Sequence, residues 1–325
     1  MIKWGIIGTG SIANKFAAAV LNAEGANLAA VASRNIGTAN AFADKYGIKH
    51  RFGSYEDLAA FEGVDAVYIA TPHTLHYSCT KICLEAKKNV LCEKPMAVNY
   101  NQACEMTEIA DKNGVFLMEA MWTRFLPAIR ELKKVVDGGV IGKIRSITAD
   151  FCYDMSENKE HNVFNPEYAG GSLLDVGVYA INFAAIFLGA DYVDMKCMAE
   201  VAGGVDEQCY ILFSTKSGAV ASLSSALTAN KPSDAYIYGS EGYIHVPQFF
   251  KAQGFTVFPH GGEAVLHNYP YIGNGFEEEI IECGRCILAG KAQSDIMPWS
   301  ETEKIVRVMD EARLQAGVVY PTDVF

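Results

Sequence analysis

The chain has little of what a membrane protein, a disulfide-stapled protein or a nucleic-acid binder requires. Its longest apolar run, residues 179–188, is about half of what a membrane span needs. Basic residues are outnumbered, 27 Lys and Arg against 38 Asp and Glu. The resulting net charge of −11 would repel a phosphate backbone or an anionic membrane surface. The opening MIKWGIIGTG is apolar for too short a stretch to read as a secretory signal, and it runs into a glycine turn. The nine cysteines are odd in number and scattered, which fits reduced thiols better than a disulfide framework. Cys283 and Cys286 form a C-x-x-C in a helical pattern, with no second ligand pair for a metal, and read as buried helical thiols. There is no internal repeat and no low-complexity segment. The expectation is a soluble, cytoplasmic protein with no nucleic-acid or membrane partner. Acidity does not exclude an anionic cofactor, because a helix N-terminus binds phosphate locally.

What is present is a 325-residue chain, half of it hydrophobic, long enough for two domains. Residues 1–122 alternate short apolar runs (2–7, 28–32, 66–70, 90–92, 115–118) with helical patterns (11–21, 38–46, 54–61, 75–86, 101–112). Near-continuous apolar strands between helices mark a parallel sheet covered on both faces, here a doubly wound α/β domain. From residue 123 the pattern changes. A helix over 126–136 ends at Gly138 and Gly139, and longer strands follow at 143–153, 192–202, 208–213, 219–229, 235–238 and 243–246. Residues 123–325 therefore read as a second domain, an open, mostly antiparallel sheet with helices on one face. Two helices close the chain, the last with Ser300 capping toward Glu303. A free sheet face in an acidic chain predicts a homodimer through that face.

The sequence Gly8-Thr9-Gly10-Ser11-Ile12-Ala13 joins the first strand to the first helix. Gly8 allows the tight turn, Gly10 lets backbone approach a pyrophosphate, and the small Ala13 lets helix and strand pack closely. Free N–H groups at Ser11 and Ile12 would meet the phosphates. An NAD enzyme usually carries a carboxylate at the end of the second strand; this chain has Ser33 and Arg34. A small hydroxyl and a guanidinium suit a 2′-phosphate, so NADP is the expected cofactor, with NAD as the alternative.

Glu93-Lys94-Pro95 follows the fourth strand, at the end where such folds bind ligands. Lys94 is either a cation beside the nicotinamide or an exposed lysine paired with an acid. Further on, at 3.6 residues per turn, Ser172, Asp175, Tyr179 and Asn182 share one narrow polar stripe on a helix otherwise apolar almost all round. Either the stripe faces the cofactor, with Tyr179 as general acid/base, or Asp175 satisfies the tyrosine hydroxyl inside a core. Useful proton transfer at neutral pH needs a tyrosine pKa lowered by about 2–3 units. One ammonium about 4 Å away supplies roughly 4 kcal/mol toward this at an effective dielectric of about 20, while burial opposes it.

These residues resemble the glucose–fructose oxidoreductase/inositol dehydrogenase (Gfo/Idh/MocA) family over essentially the whole chain. The marks are the GTGSIA turn, Ala70-Thr71-Pro72 with His76, Glu93-Lys94-Pro95, and the Asp175…Tyr179 helix. Within that family the chain is most similar to dimeric dihydrodiol dehydrogenases and NADP-dependent sugar dehydrogenases. The closer match lies in residues 53–56, 90–95, 119–125 and 170–179. The resemblance implies that Lys94 and Tyr179 flank the reacting carbon, and that Thr71, Pro72, His73 and His76 lie along the cofactor. Most of the wider family has histidine where this chain has Tyr179. The antiparallel sheet is implied to form the dimer. His73 and His76 lack a third ligand for a metal. Trp122 and Arg124 read equally as a nicotinamide wall with an oxygen or phosphate contact, or as packing at the domain junction. The expected activity is hydride transfer between NADP(H) and a CH–OH group of a small polyol, sugar or trans-diol. The competing readings are an NAD-dependent glycoside-cleaving or eliminating enzyme and a non-catalytic NADP-binding regulator.

Overall fold

A computed structural model describes residues 1–323. The chain divides into two units: Met1–Trp122 with Ile272–Thr302, and Thr123–Tyr271 with the stretch from Glu303 onward.

The first unit follows the β–α alternation of its sequence: β1 (Ile2–Ile7), α1 (Ser11–Val20), β2 (Ala26–Ala32), α2 (Ile36–Tyr46), β3 (His50–Phe52), α3 (Tyr55–Ala60), β4 (Ala66–Ile69), α4 (His76–Glu85), β5 (Asn89–Glu93), α5 (Tyr100–Asn113) and β6 (Leu117–Ala120). The strands pair in the order β3-β2-β1-β4-β5-β6, parallel throughout. β4 buries all four of its residues, as a strand covered on both faces must. Ser54 caps α3 by accepting from the Asp57 N–H at 3.1 Å. Strand β3 escapes sequence reading because its three residues are only half-buried and carry no apolar run.

The second unit contains α6 (Pro127–Asp137), β7 (Ile144–Cys152), α7 (Val178–Leu188), β8 (Tyr192–Ala202), β9 (Val205–Thr215), β10 (Val220–Ala226), β11 (Ala235–Gly239), β12 (Gly242–Val246), β13 (Gly254–Pro259) and β14 (Val265–Asn268). They form an eight-stranded sheet ordered β14-β13-β12-β11-β7-β10-β9-β8. Its described pairings are antiparallel except β7 with β10. Register separates two faces. One row runs Phe213, Ala221, Ile147, Ile237, Ile244, Val257, all buried. The row beside it points the other way through Leu212, Ser222, Thr148, Tyr236 and His245. β10 is poor in β-branched residues yet holds because it pairs on both sides, where context outweighs propensity. β13 and β14 add to the strands that periodicity marks; one is bounded by Gly254 and Pro259, and the other is a four-residue edge strand.

One expectation about apolar length is corrected. Pro166–Leu188 has the length and apolarity of a membrane span, with a mean hydropathy of 1.7, but 78% of its most apolar window is buried inside the protein. Scattered glycines and single polar residues break it into shorter apolar runs.

α8 (Glu277–Leu288) and α9 (Trp299–Ala316) close the chain. The division is not one cut after residue 122, because α8 returns to pack against α1 and β2. Its Ile280, Cys283 and Cys286 are buried there, the C-x-x-C thiols among them. α9 starts one residue before the expected cap. Ser300 lies inside the helix, and the Pro298 carbonyl accepts from the Glu301 and Thr302 N–H groups, while Gln293 Oε1 accepts from Trp299 N–H at 2.7 Å.

Candidate active site

In the first unit, register sets four strand ends side by side. Ile7 pairs with Ala32 and with Ile69, and Ile69 pairs with Cys92. The segments that follow these residues, containing Gly8, Ser33, Thr71 and Glu93-Lys94-Pro95, therefore line one edge of the sheet. Gly8 takes φ +105°, and a Cβ there would sit 2.4 Å from the Ala70 carbonyl oxygen. Gly10 begins α1 with no side-chain cap and no acidic residue in the first turn, and a Cβ on it would meet nothing within 4 Å. Open space at an uncapped helix start, beside the exposed Ser11 and half-buried Ile12, fits the pyrophosphate of a dinucleotide.

Beyond β2, Ser33 is half-buried and Arg34 exposed, and no carboxylate follows before Asp44. Ser33 Oγ lies 2.7 Å from Thr38 Oγ1. Arg34 sits beside Tyr55; burial raises that phenol's pKa, and the guanidinium draws it back down.

Beyond β4, Pro72 and His73 are half-buried and Thr71 is nearly covered. His76 is buried, with Nδ1 2.8 Å from the Pro95 carbonyl and Nε2 2.9 Å from that of Thr71. Burial, then the neighbouring His73, hold its pKa to about 3. The neutral ring has one N–H, so only one of the two carbonyls accepts from it; the other faces a lone pair. His76 thus fastens the Thr71 loop to the segment after Lys94 rather than presenting its ring for a ligand. Among the described residues, no group of three His, Cys, Asp or Glu side chains is placed to hold a metal.

Glu93 is buried and accepts from the Tyr68 hydroxyl and, at 3.1 Å, from the Lys94 N–H. Burial pushes its carboxyl up to about 7. Lys94 itself is half-buried, and the Lys94–Pro95 peptide is cis. Trp122 stacks on Phe276, ring centroids 5.0 Å apart.

In the second unit the polar stripe is not a regular α-helical one. Leu173–Gly177 forms a π-helical turn that leads into α7. A π turn takes more residues than an α turn, so Ser172 is carried off the line of Asp175 and Tyr179. Ser172 is buried, its hydroxyl donating to Asp206 Oδ2 at 2.7 Å. Asn182 is buried too, and its Oδ1 accepts from Arg124 Nε at 2.8 Å. Arg124 is buried with it. Asp175 and Tyr179 stay half-buried.

Sequence reasoning missed Tyr153, whose hydroxyl donates to Asp175 Oδ2 at 2.6 Å. Burial and Asp175 both raise the Tyr153 pKa, which keeps it a neutral donor. Phe151 was missed as well; it lies edge-on to Tyr179 at 5.4 Å and stacks on Phe250 at 4.1 Å. Their only sequence signal is aromatic residues closing a strand.

The NAD-binding Rossmann domain of the GFO/IDH/MocA oxidoreductase family matches residues 2–121, and a C-terminal domain of the same family matches residues 129–245. The chain belongs to this oxidoreductase family. Among its relatives, the trans-1,2-dihydrobenzene-1,2-diol dehydrogenase of Mus musculus is 34% identical over 99% of both chains. The Homo sapiens enzyme of that name is 31% identical over the same shares. Of solved family-like folds, an aldose-aldose oxidoreductase from Caulobacter crescentus, complexed with glycerol, superposes with a TM-score of 0.89 at 26% identity, covering 97% of each chain. A 3-ketoreductase from Actinomadura kijaniata, in complex with NADP and TDP-benzene, gives 0.87 at 26% identity, covering 97% of this chain and 98% of its own.

Proposed function

We propose that this family member transfers a hydride between NADP(H) and a CH–OH carbon of a small polyol, sugar or trans-diol. The observation that carries the reading is the single sheet edge that holds an open, uncapped helix start, Ser33 with Arg34, and Lys94. The diol dehydrogenases and the NADP-bound ketoreductase among its relatives support the same class of substrate and cofactor.

When bound, the nicotinamide accepts or donates the hydride. The N–H groups at Ser11 and Ile12 hold the pyrophosphate, and Arg34 pairs with the 2′-phosphate. Thr71, Pro72 and His73 line the dinucleotide. Lys94 stabilises the alkoxide that develops at the reacting oxygen. Tyr179 takes the hydroxyl proton in oxidation and returns it in reduction. Asp175, fixed by Tyr153, orients the substrate or the Tyr179 hydroxyl. All nine cysteines are thiols rather than disulfides, which supports a reducing, cytoplasmic setting.

A homodimer through the open face of the second unit's sheet is part of the proposal. Met198 pairs with Tyr210, and Lys196 with Leu212, so Met198, Tyr210 and Leu212 are exposed on one face. Across the sheet, the rings of Tyr243 and Phe258 stack on that side at 4.6 Å. Sedimentation at micromolar concentration is expected to give twice the chain mass, and a monomer would contradict the assembly.

The activity is tested by NADPH fluorescence against a panel of trans-diols, aldoses and inositols, in both directions. Net NADPH formation matched to substrate consumed is expected. Product formed with no net change in NADPH would favour transient oxidation during cleavage or elimination and overturn the dehydrogenase reading.

A further inference from the structure

The π-helical turn that carries Asp175 is held at its start by one buried side chain. Asp206, at the beginning of β9, is 1% exposed. Its Oδ2 accepts from the Ser172 hydroxyl and from the Leu173 N–H, both at 2.7 Å. Ser172 Oγ in turn lies 2.9 Å from Ser225 Oγ on β10. The approach is close enough that only glycine fits at 171, where a Cβ would meet Asp206 Oδ1 at 2.2 Å. The Tyr320 hydroxyl donates to the Gly170 carbonyl. The carboxylate therefore grips Ser172 and Leu173, where the irregular turn begins, the latter two residues before Asp175 and six before Tyr179.

We propose that Asp206 is a positioning residue: it sets the register of the π-helical turn and so the placement of Asp175 and Tyr179, while contacting neither. The inference rests on the role given above to Tyr179. Asp206 ionises late, because burial raises its carboxyl to about 6 against the pull of Ser172, the Leu173 N–H and Arg313. The other groups facing it are Tyr320, Cys197 and Cys209, each of which its charge pushes upward; Arg313 is itself paired with Asp310 and Asp323. Below about pH 6 the grip weakens as the carboxylate gains its proton.

The test is Asp206→Asn, with Ser172→Ala as the milder variant that removes one donor and leaves the carboxylate. Hydrogen–deuterium exchange over residues 171–177 is expected to quicken in both. Turnover should fall tenfold or more in the first, with NADP dissociation constants within twofold of wild type. The acidic limb of the kcat profile near pH 6 should vanish in Asp206→Asn. Unchanged exchange in both variants would overturn the positioning role, whatever the activity. Faster exchange with unchanged turnover and pH profile would overturn its link to the reaction. If wild-type protein turned over no diol or sugar, the parent reading would fail, and the exchange arm would still decide whether Asp206 holds the turn.

Discussion

Arg34 stands exposed just past β2, where a carboxylate would favour NAD and a guanidinium favours a 2′-phosphate. A charge-assisted bond of this kind is worth about 1.5–3 kcal/mol, or roughly 10- to 100-fold in affinity. Arg34→Ala should raise the dissociation constant for NADP by that factor and leave NAD within about twofold; equal losses in calorimetric titrations of both would contradict the assignment. Glu279 makes a different prediction. It is fully buried on α8, neither carboxyl oxygen meets hydrogen-bond geometry, and burial with Glu93 nearby raises its pKa well above the usual range. The folded protein thus keeps a proton that the unfolded chain releases near the ordinary glutamate value. Its contribution to stability is full below that value and is lost as pH rises toward the folded pKa. Glu279→Gln, neutral throughout, should gain on wild type in melting temperature between pH 5 and pH 8. A difference that does not change with pH would show that Glu279 is ionised in the folded protein.

Among the elements, those that local chemistry specifies are legible in the amino-acid sequence. The glycine turn before α1 is one, because its glycines, strand and helix lie within a few residues. The Glu93-Lys94-Pro95 strand exit is another. The π-helical turn is not legible, since α and π turns bury the same apolar residues and differ only in how many fill a turn. What selects it is distant in sequence: Asp206 lies 34 residues from Ser172 and 33 from Leu173. Tyr153, 22 residues before Asp175, escapes for the same reason. Gly171→Ala tests how tightly this element is built. A side chain at φ +111° costs about 1–3 kcal/mol, and the contact with Asp206 adds a comparable overpacking term. A loss of about 2–5 kcal/mol in urea denaturation is expected, and a neutral result would mean that the turn has room to shift.

For the whole molecule, family domains match residues of both units: the first carries the glycine turn and the Lys94 strand exit along one sheet edge, and the second carries the Tyr153–Asp175 hydrogen bond. The parallel sheet and most of the open sheet follow from periodicity. The return of Ile272–Thr302 to the first unit does not, because an amphipathic helix does not name the surface it covers. In the proposed reaction Lys94 serves hydride transfer rather than cofactor affinity. The most direct measurement is single-turnover NADPH formation by Lys94→Met, with NADP affinity determined on the same sample. The expected result is a dissociation constant within about twofold of wild type and a transfer rate lower by roughly a thousandfold. Transfer at near wild-type rate, or a loss fully restored by saturating NADP, would contradict it.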